Sequence, residues 1–325
     1  MTIMDFKFDD IGSFPLPEGI TKEWVEENLS SREFEEMCQR AFVMKVKSGV
    51  EVPNYPQFRD MVKMFLDLMK DEAFQESPYL IKKENAIIPE LESLKKLSYG
   101  SGIRICLTGP FEIYLKEFGP VIYEDVLSAI SKSIARFAEN AIKSSLNVTC
   151  ISIDDPSLGL NPELQPTPEQ MELAYENFDF SVDVQIHLHA PLYYQKFLEI
   201  EAIDVIGVES AKDENVMNFI DAEELESYDK MLRIGISRSD IDALIAEFNT
   251  KHNVNAWKDR DLIVKAIDEL ESPEKIYERI EKAYNIFGEL IAYVGPDCGL
   301  GGFPTQESAV KLLENTAEAI SRFKG

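Results

Sequence analysis

A chain of 325 residues with 45% hydrophobic content can bury a full core, either as two average domains or as one large α/β barrel of ~250 residues or more. Its 59 acidic residues against 33 basic ones give a formal charge of −26, a field that repels nucleic acid and anionic membrane surfaces and favours solubility. There is no run of ~18 apolar residues to span a membrane, and Met1 to Asp10 lacks the basic-then-apolar pattern of a signal peptide, so a cytoplasmic location is expected.

In chain order, Phe6 to Ile11 reads as a first strand, followed by a helical region over Thr21 to Gly49 and Arg59 to Lys70. The stretch between Phe74 and Leu97 is ambiguous and is where one further strand is expected. Strand then alternates with helix. Ile103 to Leu107 precedes a helix over about Val121 to Ser145, and Val148 to Ile153 precedes a helix that begins near Pro168. Val182 to Leu188 is followed by a helix through Tyr193 to Glu199, and Asp204 to Val208 by a helical segment from about Asp213 to Ile220. Leu232 to Ile236 leads into a long helical region containing Ile241, Leu244, Ile245 and Phe248. Leu290 to Val294 is the last strand, before a closing helix from Gln306 to Phe323. Repeated alternation of this kind means a parallel sheet with helical crossovers. No linker or repeat divides the chain, and the first strand is followed by Ile11-Gly12-Ser13-Phe14-Pro15, which is no glycine-rich phosphate loop of an open doubly wound sheet. The expected architecture is a single TIM (β/α)8 barrel over residues 1–325, with an extended helical N-terminal region.

In such a barrel the active-site face lies at the C-terminal ends of the strands. Gly12-Ser13, Thr108-Gly109-Pro110, Asp154-Asp155-Pro156, His187, His189, Glu209 and Asp297-Cys298-Gly299 all fall there, including two of only three histidines. His187 and His189 stand two apart on a strand, so both point to one face. Neutral imidazole, carboxylate and thiolate suit zinc, and three protein ligands leave the open position of a catalytic site. The spacing leaves a second reading open, in which a hydrogen-bonded histidine, a capping glutamate and a buried cysteine never meet. The other cysteines, Cys38, Cys106 and Cys150, are widely spaced and read as packing rather than disulfides.

Several segments resemble the C-terminal catalytic barrel of cobalamin-independent methionine synthase. They are Ile11-Gly12-Ser13-Phe14-Pro15, Arg59-Asp60-Met61-Val62, Ile153-Asp154-Asp155-Pro156, Gln185-Ile186-His187-Leu188-His189, the strand ending in Glu209, and Pro296-Asp297-Cys298-Gly299-Leu300. They follow the family's order and span nearly the whole chain. The resemblance implies His189, Glu209 and Cys298 as zinc ligands. It implies Ile11, Ser13 and Asp154 as residues that hold homocysteine, with Asp154 on the substrate's α-ammonium group. The family's further substrate-binding glutamate corresponds to Glu51, or Gln57 stands in for it.

Two departures alter what the resemblance implies. The family's cysteine ligand two residues after its histidine is Pro191 here, so either substrate sulfur completes a three-ligand site or His187 supplies a fourth ligand. Gly235-Ile236-Ser237-Arg238-Ser239-Asp240 lacks the family's proton-transfer histidine; Asp240 is the candidate substitute, with an N-cap role for Ser239 or Asp240 as the alternative. Single-barrel relatives take methyl from a corrinoid, and a departing cob(I)amide needs no proton. The expected function is therefore methyl transfer to homocysteine, with a methylcobamide donor and a corrinoid protein partner. The rivals are a coenzyme M methyltransferase, a uroporphyrinogen-decarboxylase-like enzyme, and a non-catalytic barrel subunit with a decayed site.

Overall fold

The computed structural model describes residues 5–97, 99–100 and 102–325, so the stretch Met1–Asp10 read for a leader lies partly outside it. Seven parallel strands curl into one sheet: β1 (Lys7–Phe8), β4 (Ile103–Thr108), β5 (Val148–Asp154), β6 (Asp183–Leu188), β7 (Val205–Val208), β8 (Met231–Ser237) and β9 (Ile291–Pro296), with β2 (Gln75–Ser77) and β3 (Leu80–Ile81) forming a separate hairpin. The order in the large sheet is β1-β9-β8-β7-β6-β5-β4. Both faces of these strands are covered, which is why they read as apolar runs in the sequence.

Helices α1 (Lys22–Glu27), α2 (Arg32–Lys47), α3 (Lys63–Lys70) and α4 (Pro89–Leu94) fill the N-terminal region. The crossovers carry α5 (Pro110–Phe118), α6 (Glu124–Ile142), α7 (Pro168–Tyr175), α8 (Ala222–Ser227), α9 (Ile241–His252), α10 (Arg260–Leu270) and α11 (Pro273–Phe287), and α12 (Gln306–Lys324) ends the chain. Several start on capping chemistry visible in the sequence. The Thr167 and Gln170 side chains form a capping box around Pro168, and Ser272 caps α11 ahead of Pro273. The segments expected as helices over 193–199 and 213–220 are short 3-10 turns, Pro191–Phe197 and Glu214–Phe219. Among the described residues no helix is long and apolar enough to cross a membrane.

The expected eight-stranded barrel is corrected on one point. No eighth strand joins the sheet among the described residues, and the stretch between Phe74 and Leu97 supplies the outlying hairpin instead. The gap between β1 and β4 is met by residues 52–57 through isolated parallel bridges: Asp9 with Val52, Ser13 with Gln57, and Asn54 with Arg104. Pro53 and Pro56 remove two backbone donors from this segment, so a regular ladder cannot form. Side chains stitch the seam in its place. The Asn54 NH donates to Asp10 Oδ1 (2.8 Å), the Cys106 NH to Asn54 Oδ1 (3.1 Å), and Lys45 pairs with Asp10 at 2.6 Å.

The sheet separates two apolar regions. A large core lies between strands and helices, and a small cluster of Val52, Cys150, Val205 and Tyr293 lies inside the curl. A polar layer fills the interior alongside it. Asp9 bridges Arg104 and Arg233, all three fully buried, and Arg233 Nη2 donates to the Pro296 carbonyl at 2.6 Å. The Arg104 guanidinium also lies over the Tyr293 ring, 5.0 Å from its centroid.

Candidate metal centre

Strand ends bring the site together. His187 is the last inward residue of β6, in register with Asp154 of β5 on one side and Gly207 of β7 on the other. His189 and Glu209 each follow their strand's end at once, and Cys298 lies just past β9. One ligand atom from each of His187, His189, Glu209 and Cys298 lies within 4.8 Å of all the others. The Cys298 sulfur is 3.6 Å from His189 Nε2, and Glu209 Oε1 is 3.5 Å from His189 Nε2 and 3.6 Å from His187 Nε2. Bonds of ~2.0–2.3 Å at tetrahedral angles put neighbouring ligand atoms ~3.3–3.6 Å apart, so these three separations and the donor set suit a divalent ion such as zinc. Among the described residues neither ring nitrogen of buried His187 has a hydrogen-bond partner, a costly arrangement for a group with no further role.

The charges of the metal-free cluster follow from burial. Desolvation holds the His187 imidazole well below its usual pKa and lowers that of His189. Burial, with the charge of Asp297 second, lifts the Glu209 carboxyl to about 7. Burial and then the charge of Glu209 push the Cys298 thiol up. Every member is thus driven toward its neutral form, and a cation reverses that preference for the carboxyl and the thiol.

A cavity of about 250 Å³ opens beside the cluster, lined in part by Ile11, Ser13, Gln57, Asp154, His187 and Cys298. Asp154 accepts from Ser152 Oγ at 3.0 Å, and burial raises its carboxyl to about 7. The loops that carry Ser13 and Cys298 interlock: the Leu300 NH donates to the Ser13 carbonyl at 2.7 Å, and a side chain on Gly299 would come within 2.8 Å of the Ser13 nitrogen. Gly12, at φ +64°, makes the turn that allows this approach.

Two expected residues stand elsewhere. Glu51 sits at the opposite end of the 52–57 segment, where it accepts the Phe8 NH at 2.7 Å and faces Lys324; Gln57, not Glu51, lines the cavity. Asp240 caps α9 by accepting the Ala243 NH at 3.0 Å and pairs with Lys212 at 3.1 Å. The capping bond, helped by Lys212, keeps its carboxyl below the usual range, so it is ionised and has no proton to donate. Asp297 and Asp155 acquire contacts to which no role was attached. Asp155 accepts the Tyr175 hydroxyl (2.7 Å) and the Glu112 NH (2.6 Å), tying the first turn of α5 to the end of α7. The visible signal was an acidic residue inside each strand-end motif.

The fold and this cluster define the chain as an α/β protein with a curled parallel sheet and, at the C-terminal ends of its strands, a group of nitrogen, oxygen and sulfur donors that could hold one metal ion. No protein-family model matches the chain. The methionine synthase of Sulfolobus acidocaldarius is 22% identical over 339 residues, covering 93% of this chain and 88% of that protein. A protein of Halalkalibacterium halodurans named 5-methyltetrahydropteroyltriglutamate–homocysteine methyltransferase is 23% identical; the match covers 95% of this chain but spans only 42% of that protein. The solved B12-independent methionine synthase of a Shewanella species, in complex with selenomethionine, superposes with a TM-score of 0.60 at 14% identity, over 99% of this chain and 98% of that one. Over nearly its whole length the chain is thus similar to methionine synthases, and it shares the fold of a B12-independent one.

Proposed function

We propose that this chain is a zinc-dependent methyltransferase that places a methyl group on the thiol of homocysteine, forming methionine. The observation that carries the reading is the convergence of His187, His189, Glu209 and Cys298 within 4.8 Å, beside a cavity that contains Asp154. The names of the relatives support the same substrate and product.

Zinc bound by these residues supplies the positive charge that keeps a thiol ionised, and so nucleophilic, at neutral pH. The chain supplies the rest. Glu209 and Cys298 offer two negative charges and the histidines none, so a divalent ion leaves the ligand set neutral before substrate arrives. Asp154 takes the substrate's ammonium group, whose charge draws the carboxyl back to its ionised form. That residue favours an aminothiol over a sulfonate thiol such as coenzyme M. The cavity walls, with Ser13 held by Gly299 and Leu300, fix the thiol relative to an incoming methyl carbon. The methylcobamide donor and corrinoid protein partner expected above find no support in the relatives, and the B12-independent name of the Shewanella protein opposes them.

Metal analysis and turnover test the reading together. Purified protein is expected to hold one equivalent of zinc and to convert homocysteine to methionine with a methylated reduced pterin or methylcobalamin offered in parallel. Cys298→Ala is expected to lose both metal and turnover. A fully active protein without metal, or zinc retained unchanged in Cys298→Ala, would refute the zinc reading.

A further inference from the structure

One carboxylate joins the two anionic corners of the cluster. Asp297 immediately precedes Cys298 and is buried. Its Oδ1 accepts the NH groups of Ser210 (3.0 Å) and Ala211 (2.9 Å), and its Oδ2 accepts that of Lys212 (3.1 Å). These are the three residues that follow Glu209. The Asp297 NH is itself tied to the Ser237 carbonyl at 2.8 Å, and the Cys298 NH to Ser239 Oγ at 3.0 Å, so the end of β8 and the loop just after it anchor the strut. Its space is reserved by Gly235, where an added Cβ would lie 1.9 Å from Asp297 Oδ1.

On the basis of the metal centre proposed above, we propose that Asp297 is a positioning residue. It clamps the loop after β7 to the end of β9 and so sets the separation between the Glu209 oxygen and the Cys298 sulfur. Three NH donors share two acceptor oxygens, and an amide in place of the carboxylate turns one acceptor into a donor. At least one NH then loses its partner and the Glu209 loop is released, while the side-chain volume is unchanged. Supports of metal ligands typically carry ~10–100-fold in metal affinity.

The test titrates metal-free wild type and Asp297→Asn with cobalt(II), reading affinity by chelator competition and geometry by the visible d–d band. The melting temperature of the metal-free proteins is measured alongside. Asp297→Asn is expected to fold, to bind cobalt(II) ~10–100-fold more weakly, and to show a weakened tetrahedral band. Unchanged affinity and spectrum would overturn the positioning role. Should Asp297→Asn fail to fold, Gly235→Ala, which pushes on the same carboxylate, decides by the same two readings. A wild type that binds no cobalt(II) would instead sink the metal centre itself.

Discussion

Asp9 is the most exposed point of the energetics, because a single carboxylate neutralises two arginines inside the sheet. Its Oδ2 meets Arg104 Nη2, its Oδ1 lies 3.1 Å from Arg233 Nε, and no part of the trio reaches solvent. Arg233 keeps two carbonyl acceptors without it, at Pro296 and Asp297, but among the described residues Arg104 loses the one side-chain hydrogen bond it makes, and its Nε and Nη1 already have no partner there. Removing one member of a buried pair costs ~3–5 kcal/mol, since a desolvated charge is stranded. Asp9→Ala strands two like charges, so the loss belongs at the upper end, about 5 kcal/mol. Against total stabilities of ~5–15 kcal/mol that is a third of the fold or more. Urea denaturation measures it as a lower midpoint at unchanged slope. Adding Arg104→Met to Asp9→Ala is expected to recover more than half of the loss, because the remaining arginine retains its carbonyls and the apolar side chain replaces a charge. A loss below about 1 kcal/mol for Asp9→Ala would refute the reasoning, as it would mean that the arginines are well solvated without their carboxylate.

Two further outcomes follow from the same burial. Asp154, Asp155 and Glu209 are raised to about 7 and Asp297 to about 6, chiefly by desolvation, so between about pH 4 and pH 7 the folded state holds protons that the unfolded state has released. Their stabilisation is complete below the unfolded values and is lost as pH rises through the folded ones; metal-free protein should melt ~5 °C or more lower at about pH 8 than at about pH 5.5, and a higher melting point at pH 8 would contradict the assignment. Asp154→Asn should raise KM for homocysteine by ~10–100-fold, the worth of a hydrogen bond to a charged group, with stoichiometric zinc retained; an unchanged KM would remove Asp154 from substrate binding.

The strands were legible where burial on both faces makes them mostly apolar and β-branched, as at Ile103–Thr108 and Met231–Ser237, each broken only by an arginine and a terminal hydroxyl residue. The segment that lies between β1 and β4 was not. Val52-Pro53-Asn54-Tyr55-Pro56-Gln57 reads as a loop because its ladder bonds are made partly by the side chains of Asp10 and Asn54, and no periodicity records such bonds. The misplacement of Glu51 has the same origin: the register across that seam puts Gln57 at the mouth and Glu51 at the other end, and register is a property of the pairing rather than of the segment. Asp240 shows a local competition, since an acid three residues before a free helix NH is drawn to cap it, and the capping bond keeps it charged. The same-face pairing of His187 and His189 needed only the two-residue period of a strand. Their meeting with Glu209 and Cys298 needed the sheet to curl, and here the arginines mattered. A charged residue in the middle of Ile103-Arg104-Ile105 and of Leu232-Arg233-Ile234 cannot face the helix-covered side, so both must turn inward to a polar layer. Asp9 holds that layer together, and the Arg233 guanidinium donates to the carbonyls of Pro296 and Asp297 next to Cys298. The interior ion network therefore reaches the end of β9, and the sulfur is placed by charges buried beneath it as well as by the motif around it.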